Sequence, residues 1–138
     1  MFGFATKKKL DEFGRSDLHY AARDGDRKLA EKLIHGGTEV NLADKNGWTP
    51  LHFAAQAQSA EVAAVLLEAG AQVDPMDVHG NTPLFKAVFD FKGNGDTIKL
   101  LRTRGANPLC ENKHGQTPVG LARLIANYDV KEYFEDVR

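Results

Sequence analysis

The chain has one cysteine, Cys110, and only five prolines among its 138 residues. A lone thiol cannot close an internal disulfide or supply a thiolate zinc cluster, which points to a reducing compartment and a packing role. Neither charge is in excess: 18 Lys and Arg stand against 19 Asp and Glu, a formal net charge of -1. Without a broad field to attract phosphate backbones or anionic headgroups, neither nucleic acid nor a membrane is an expected partner. Nothing approaches the roughly 18 consecutive apolar residues that a membrane span requires. The opening MFGFATKKKL has its lysines after its apolar residues, the reverse of a secretory signal, so a native Met1 implies a cytoplasmic protein. Lys7, Lys8 and Lys9 read as solvated charge rather than a nuclear address.

Chemistry-bearing patterns are also scarce. No two histidines stand at i, i+4 and there is no Cys-x-x-Cys, so no metal site is expected. KGNGD (92–96) lacks the lysine-serine ending of a phosphate loop and reads as a turn. Carboxylates are numerous, but none falls on an apolar background that would raise its pKa. No catalytic residue and no cofactor is therefore expected.

What the sequence does have is repetition. GRSDLHYAA (14–22), GWTPLHFAA (47–55), GNTPLFKAV (80–88) and GQTPVGLAR (115–123) begin 33, 33 and 35 residues apart. A period of this size signals a stack of supersecondary units. Asp11, Asp44, Asp77 and Asn112 lie three residues before the glycine, a turn signal in which the side chain bonds backbone amides and glycine accepts positive φ. Three of the five prolines follow a threonine, at Thr49-Pro50, Thr82-Pro83 and Thr117-Pro118, which predicts an N-cap hydroxyl and proline at the first helical position. Ser16-Asp17 replaces this pair in the first unit, its acid suited to a helix N-terminus. A second helix follows in each unit, closed by Gly36 or Gly37, Gly70 and Gly105. No single helix pair buries both apolar faces, so each unit must lean on the next.

The Thr49–His52 element, the stretch LLEAGAQVD (66–74) and the 33-residue spacing together resemble the ankyrin repeat. The resemblance covers residues 11–138, as repeats at about 11–43, 44–76, 77–111 and 112–138, after an N-terminal extension over 1–10 that either covers the first repeat's exposed edge with Phe2 and Phe4 or is a mobile tail. It implies an all-α solenoid of antiparallel helix pairs joined by β-hairpin-like loops. The charged RKLAEKLIHGG and VKEYFEDVR mark the two end repeats as caps of a complete four-repeat protein, monomeric by itself. His19 and His52 are then structural, with Phe85 and Gly120 standing at the same position in the other repeats.

In such a stack the positions that vary within a constant frame line the concave face, and they mark where a protein partner is expected. At the loop tips they are Phe13, Arg15, Lys45, Asn46, Trp48, Val78, His79, Asn81, Lys113, His114 and Gln116; on the first helices they include Arg23, Gln56, Phe89 and Asp90. Trp48 either meets that partner or lies against the neighbouring loop, and Phe91, in a two-residue insertion, packs on the stack or on the partner. The resemblance implies a non-enzymatic protein-binding module. The wording of the first repeat is similar to small bacterial members, which adds an inhibitor or immunity protein as an alternative. A regulatory subunit with a small-molecule site is the other.

Overall fold

The structure, a computed structural model, describes residues 10–138. Phe2, Phe4 and the rest of the expected extension apart from Leu10 lie outside the described residues.

Four short helices start where the serine and threonine signals fall: α1 (Asp17–Arg23), α3 (Pro50–Gln56), α5 (Pro83–Phe89) and α7 (Pro118–Leu124). Ser16, Thr49, Thr82 and Thr117 are their N-caps, in extended conformation. The threonine hydroxyls accept from the amides of His52 (3.4 Å), Phe85 (3.3 Å) and Gly120 (3.0 Å), which otherwise have no intrahelical partner. The second helices are α2 (Arg27–His35), α4 (Ala60–Glu68) and α6 (Asp96–Thr103). Asp26 and Ser59 cap the first two through the amides of Leu29 and Val62. Of the two glycines that compete to end α2, Gly37 takes the left-handed conformation (φ 92°) while Gly36 stays at -77°.

First helices stack on first helices and second on second, in two layers. Leu18, Leu51, Leu84 and Val119, at one repeated position, are fully buried or nearly so in the seam, and Ala22, Ala55 and Val88 are fully buried beside them. Each large aliphatic removed from water contributes about 2 kcal/mol before the cost of ordering the chain, and these residues do so only when the neighbouring repeat is present.

The connecting loops are hairpin-like, closed by bonds such as Asp44 N–H to Trp48 O at 2.8 Å, but no residue described forms a regular strand. Asp11, Asp44, Asp77 and Asn112 each accept two backbone amides from their own turn through Oδ1, as their spacing predicts. A single backbone bond then ties each tip to the last: Lys45 N–H to Phe13 O, Val78 N–H to Asn46 O and Lys113 N–H to His79 O, all 2.9–3.0 Å.

The fourth repeat departs from the helix-pair pattern. Its second element is a 3-10 helix (Val130–Phe134), with Phe134 buried. Arg102 of α6 holds this segment by a two-pronged pair with Asp136 (2.6 and 2.7 Å) and a bond to Tyr133 O (2.8 Å). Phe91 settles the alternative left open above: it is buried, edge-on to Tyr128 and tilted against Tyr133. The insertion thus forms a socket for the C-terminal segment.

Candidate functional site

Two buried histidines set the hollow side. His52 Nδ1 accepts from the Thr49 amide at 3.1 Å, so its Nε2 carries the proton and donates to Asn81 O at 2.9 Å. His19 repeats this with the Ser16 amide and Trp48 O, at 3.1 and 3.0 Å. Each imidazole therefore bolts a first helix to the next repeat's loop, one step along. Burial pushes both pKa values down, opposed by the carbonyls they bond, and the neutral ring that this favours is the one the geometry uses.

The loops so held present Trp48, whose Nε1–H donates to Asp77 Oδ2 of the next repeat at 3.0 Å. Its ring stacks on His52 and leans on Phe53, with centroids 5.6 and 4.8 Å away. Lys86 Nζ lies 5.1 Å from the Trp48 ring and 4.7 Å from that of Phe89, with Asp90 Oδ2 at 3.6 Å. At the first repeat the Arg15 guanidinium sits 4.8 Å from the Phe13 ring and 5.0 Å from that of Phe53, and its Nε–H donates to Asp44. Cations and rings alternate across three repeats, each cation over an electron-rich face.

An open groove of about 510 Å³ results, lined by Arg15, Asn46, Trp48, Phe53, Gln56, Asp77, Val78, His79, Asn81 and Lys86. A second depression runs on from His79 and Asn81 past Phe85, Phe89, Asn112, His114, Gln116 and Leu121. The structure therefore gathers Arg15, Asn46, Trp48, Gln56, Val78, His79, Asn81, Phe89, His114 and Gln116 along one strip. Phe89 is exposed on this strip, at 61%. Phe13, Lys45 and Lys113 stay on exposed tips outside both depressions; Arg23 is exposed beside Asp24, and Asp90 faces Lys86. Sequence reasoning missed Phe53, Lys86 and Leu121. They occupy one repeated position, a helical turn before Gln56, Phe89 and Leu124, and that register was the available signal.

Three copies of the family described as ankyrin repeats match residues 18–112. The chain belongs to the ankyrin-repeat family. No curated protein matches it. Ankyrin repeats are in general protein–protein interaction modules, and the family is typically non-enzymatic.

Elsewhere in the ankyrin stack one expectation fails. Asp74 does sit where burial raises its pKa: Oδ2 accepts from the Asn107 amide at 3.0 Å, while Oδ1 is enclosed without a hydrogen-bond partner. The residue lies on the loop between α4 and α5, against the end of the third repeat, where the packing of successive loops and not any apolar run in the sequence shuts out water. The Cys110 thiol is pushed up by its own burial and then by Asp74. Among the described residues no group of three His, Cys, Asp or Glu is placed to hold a metal ion, and no helix is long and apolar enough to cross a membrane.

Proposed function

We propose that the chain captures a protein partner on its hollow side, along the strip from Arg15 to Gln116. The observation that carries this reading is the fixed Trp48 groove. A ring held by Asp77, His52 and Phe53, with polar groups around it, is already in place before anything binds. Little conformational entropy remains to be lost, so modest contacts give useful affinity. Interface energy concentrates in such anchors of tryptophan, arginine and neighbouring aromatics.

The test compares capture by the wild type, by a hollow-side variant (Val78→Ala with Phe89→Ala) and by a variant of the outer helix layer (Glu61→Ala). Both changed faces are exposed, so the circular dichroism and the melting temperature should stay near the wild type's. A partner retained by the wild type and Glu61→Ala but lost by the double variant supports the reading; equal retention by all three removes it. Where the partner is an enzyme, adding the protein to its assay separates inhibition from tethering.

A further inference from the structure

The stack divides the five histidines. His19 and His52 use both ring nitrogens at the repeat interfaces and have none left for a ligand. His79 and His114 are exposed on the third and fourth loop tips, and their ring nitrogens meet no hydrogen-bond partner among the described residues. Their rings face each other, with centroids 6.1 Å apart and planes 32° from parallel. The backbone sets this pairing: Asp77 and Asn112 accept the His79 and His114 amides at 2.8 and 2.9 Å, and Lys113 N–H donates to His79 O at 3.0 Å. Each histidine stands directly before its turn glycine, Gly80 or Gly115. The two-residue insertion falls between the helices of the third repeat, so the tips stay in register. Phe13 and Asn46 hold the same position in the first two repeats, so the imidazoles meet only here.

We infer that His79 and His114 form a two-histidine site for a divalent transition metal ion of the zinc, nickel or copper class. Neutral imidazole nitrogen suits these ions, whereas magnesium and calcium take oxygen ligands. The spacing fits. A metal bonded at about 2.0 Å to a ring nitrogen lies about 3.2 Å from the ring centroid, so two ligating rings are about 5.2 Å apart in tetrahedral geometry and at most about 6.4 Å. The observed separation falls inside that limit, and two exposed side chains close the remaining 1 Å or so by small rotations. Once one imidazole holds the ion, the anchored backbone keeps the second within reach, which makes the second bond effectively intramolecular. The depression that both rings line has no Asp, Glu, Lys or Arg, so no carboxylate there draws hard cations. Lys113, next to His114 in the chain, is a like charge that lowers the affinity, and Asp77 is buried with both oxygens already bonded. No third His, Cys, Asp or Glu joins the pair among the described residues, which leaves the other coordination positions to water or to a side chain of a bound molecule. A search for ligands at i, i+4 passes over this pair because its members are 35 residues apart. The site needs no protein partner, so its failure would leave the binding reading above untouched.

Zinc chloride titrated into the full chain at pH 7.5, followed by amide NMR spectra and by calorimetry, tests the assignment. Saturable shifts are expected to centre on residues 77–81 and 112–116, and magnesium chloride should produce none. His79→Ala and His114→Ala should each weaken zinc binding by about tenfold or more, since either leaves a single imidazole. His35→Ala, which removes another exposed histidine, should leave it unchanged. Thermal melts of the three variants without metal, matched to the wild type, exclude misfolding as the cause. Absence of saturable shifts at the two tips overturns the site. So do shifts there that survive both tip variants, zinc binding lost equally with His35→Ala, or an equal response to magnesium.

Discussion

The indole of Trp48 and the carboxylate of Asp77, 29 positions apart in the chain, are joined at 3.0 Å. The same carboxylate organises the third repeat's turn through the His79 and Asn81 amides. The most conspicuous aromatic on the hollow side is thus also a strut between repeats.

Trp48→Phe keeps a ring on His52 and Phe53 but leaves Asp77 Oδ2 without its donor. Because Asp77 is buried, losing a hydrogen bond to a charged acceptor should cost about 2 kcal/mol. Urea denaturation at neutral pH is the measurement. An unchanged midpoint would mean that the indole is merely a surface ring.

Acid should weaken the stack earlier than carboxylate titration alone predicts. His19 and His52 have folded pKa values below the ordinary 6.5, so between that value and their depressed ones the unfolded chain binds more protons. Their contribution is complete above about pH 6.5 and declines as pH falls through that window. Melting temperature followed from pH 7.5 down to roughly 5 should fall below about 6.5. The pair of changes His19→Gln and His52→Gln should lower stability throughout and flatten that slope.

Equivalent glycines should not tolerate alanine equally. Gly47 and Gly115 share left-handed backbone, φ 79° and 75°, a strain of about 1–2 kcal/mol for any side chain. At Gly47 a Cβ would also meet Asp77 Cα at 2.9 Å, whereas at Gly115 nothing lies within 4 Å. Gly47→Ala is therefore expected to be the more destabilising of the two by chemical denaturation, and equal losses would contradict the close approach of successive loops.

Gly95→Ala should displace the C-terminal segment, since its Cβ would run into the Tyr133 ring. Hydrogen exchange is expected to rise over residues 125–138 while α1 to α4 stay protected. Exchange unchanged there would show that Tyr133 has room to move.

Arg102→Lys should loosen the same segment without disturbing the stack. A lysine cannot reproduce the two parallel bonds to Asp136 while also reaching Tyr133 O. Limited proteolysis should cut the variant first near its C-terminus, and a cleavage pattern like the wild type's would assign the hold to Phe134 and Phe91 instead.

Local chemistry, readable along the chain, set the frame. Turn, cap and period are local: Asp44 bonds amides two and four residues on, Thr49 caps the amide of His52, and Gly47 needs only its own φ. Interactions of that range repeat whenever the words repeat, so the helix pairs, their order and their stacking were legible. The tertiary structure alone decided what each odd residue does. Whether Trp48 faces a partner or braces the next repeat depends on Asp77 and Lys86, which approach only once the repeats are stacked. Phe91 was likewise ambiguous until the segment carrying Tyr128 and Tyr133 closed over it. Asp74 gives the same lesson, its water being excluded by neighbouring repeats and not by its own sequence surroundings. A local rule reads a few residues of chain, whereas burial and charge at a surface are set by side chains roughly a repeat away, and the spacing says that they meet without saying which atoms touch.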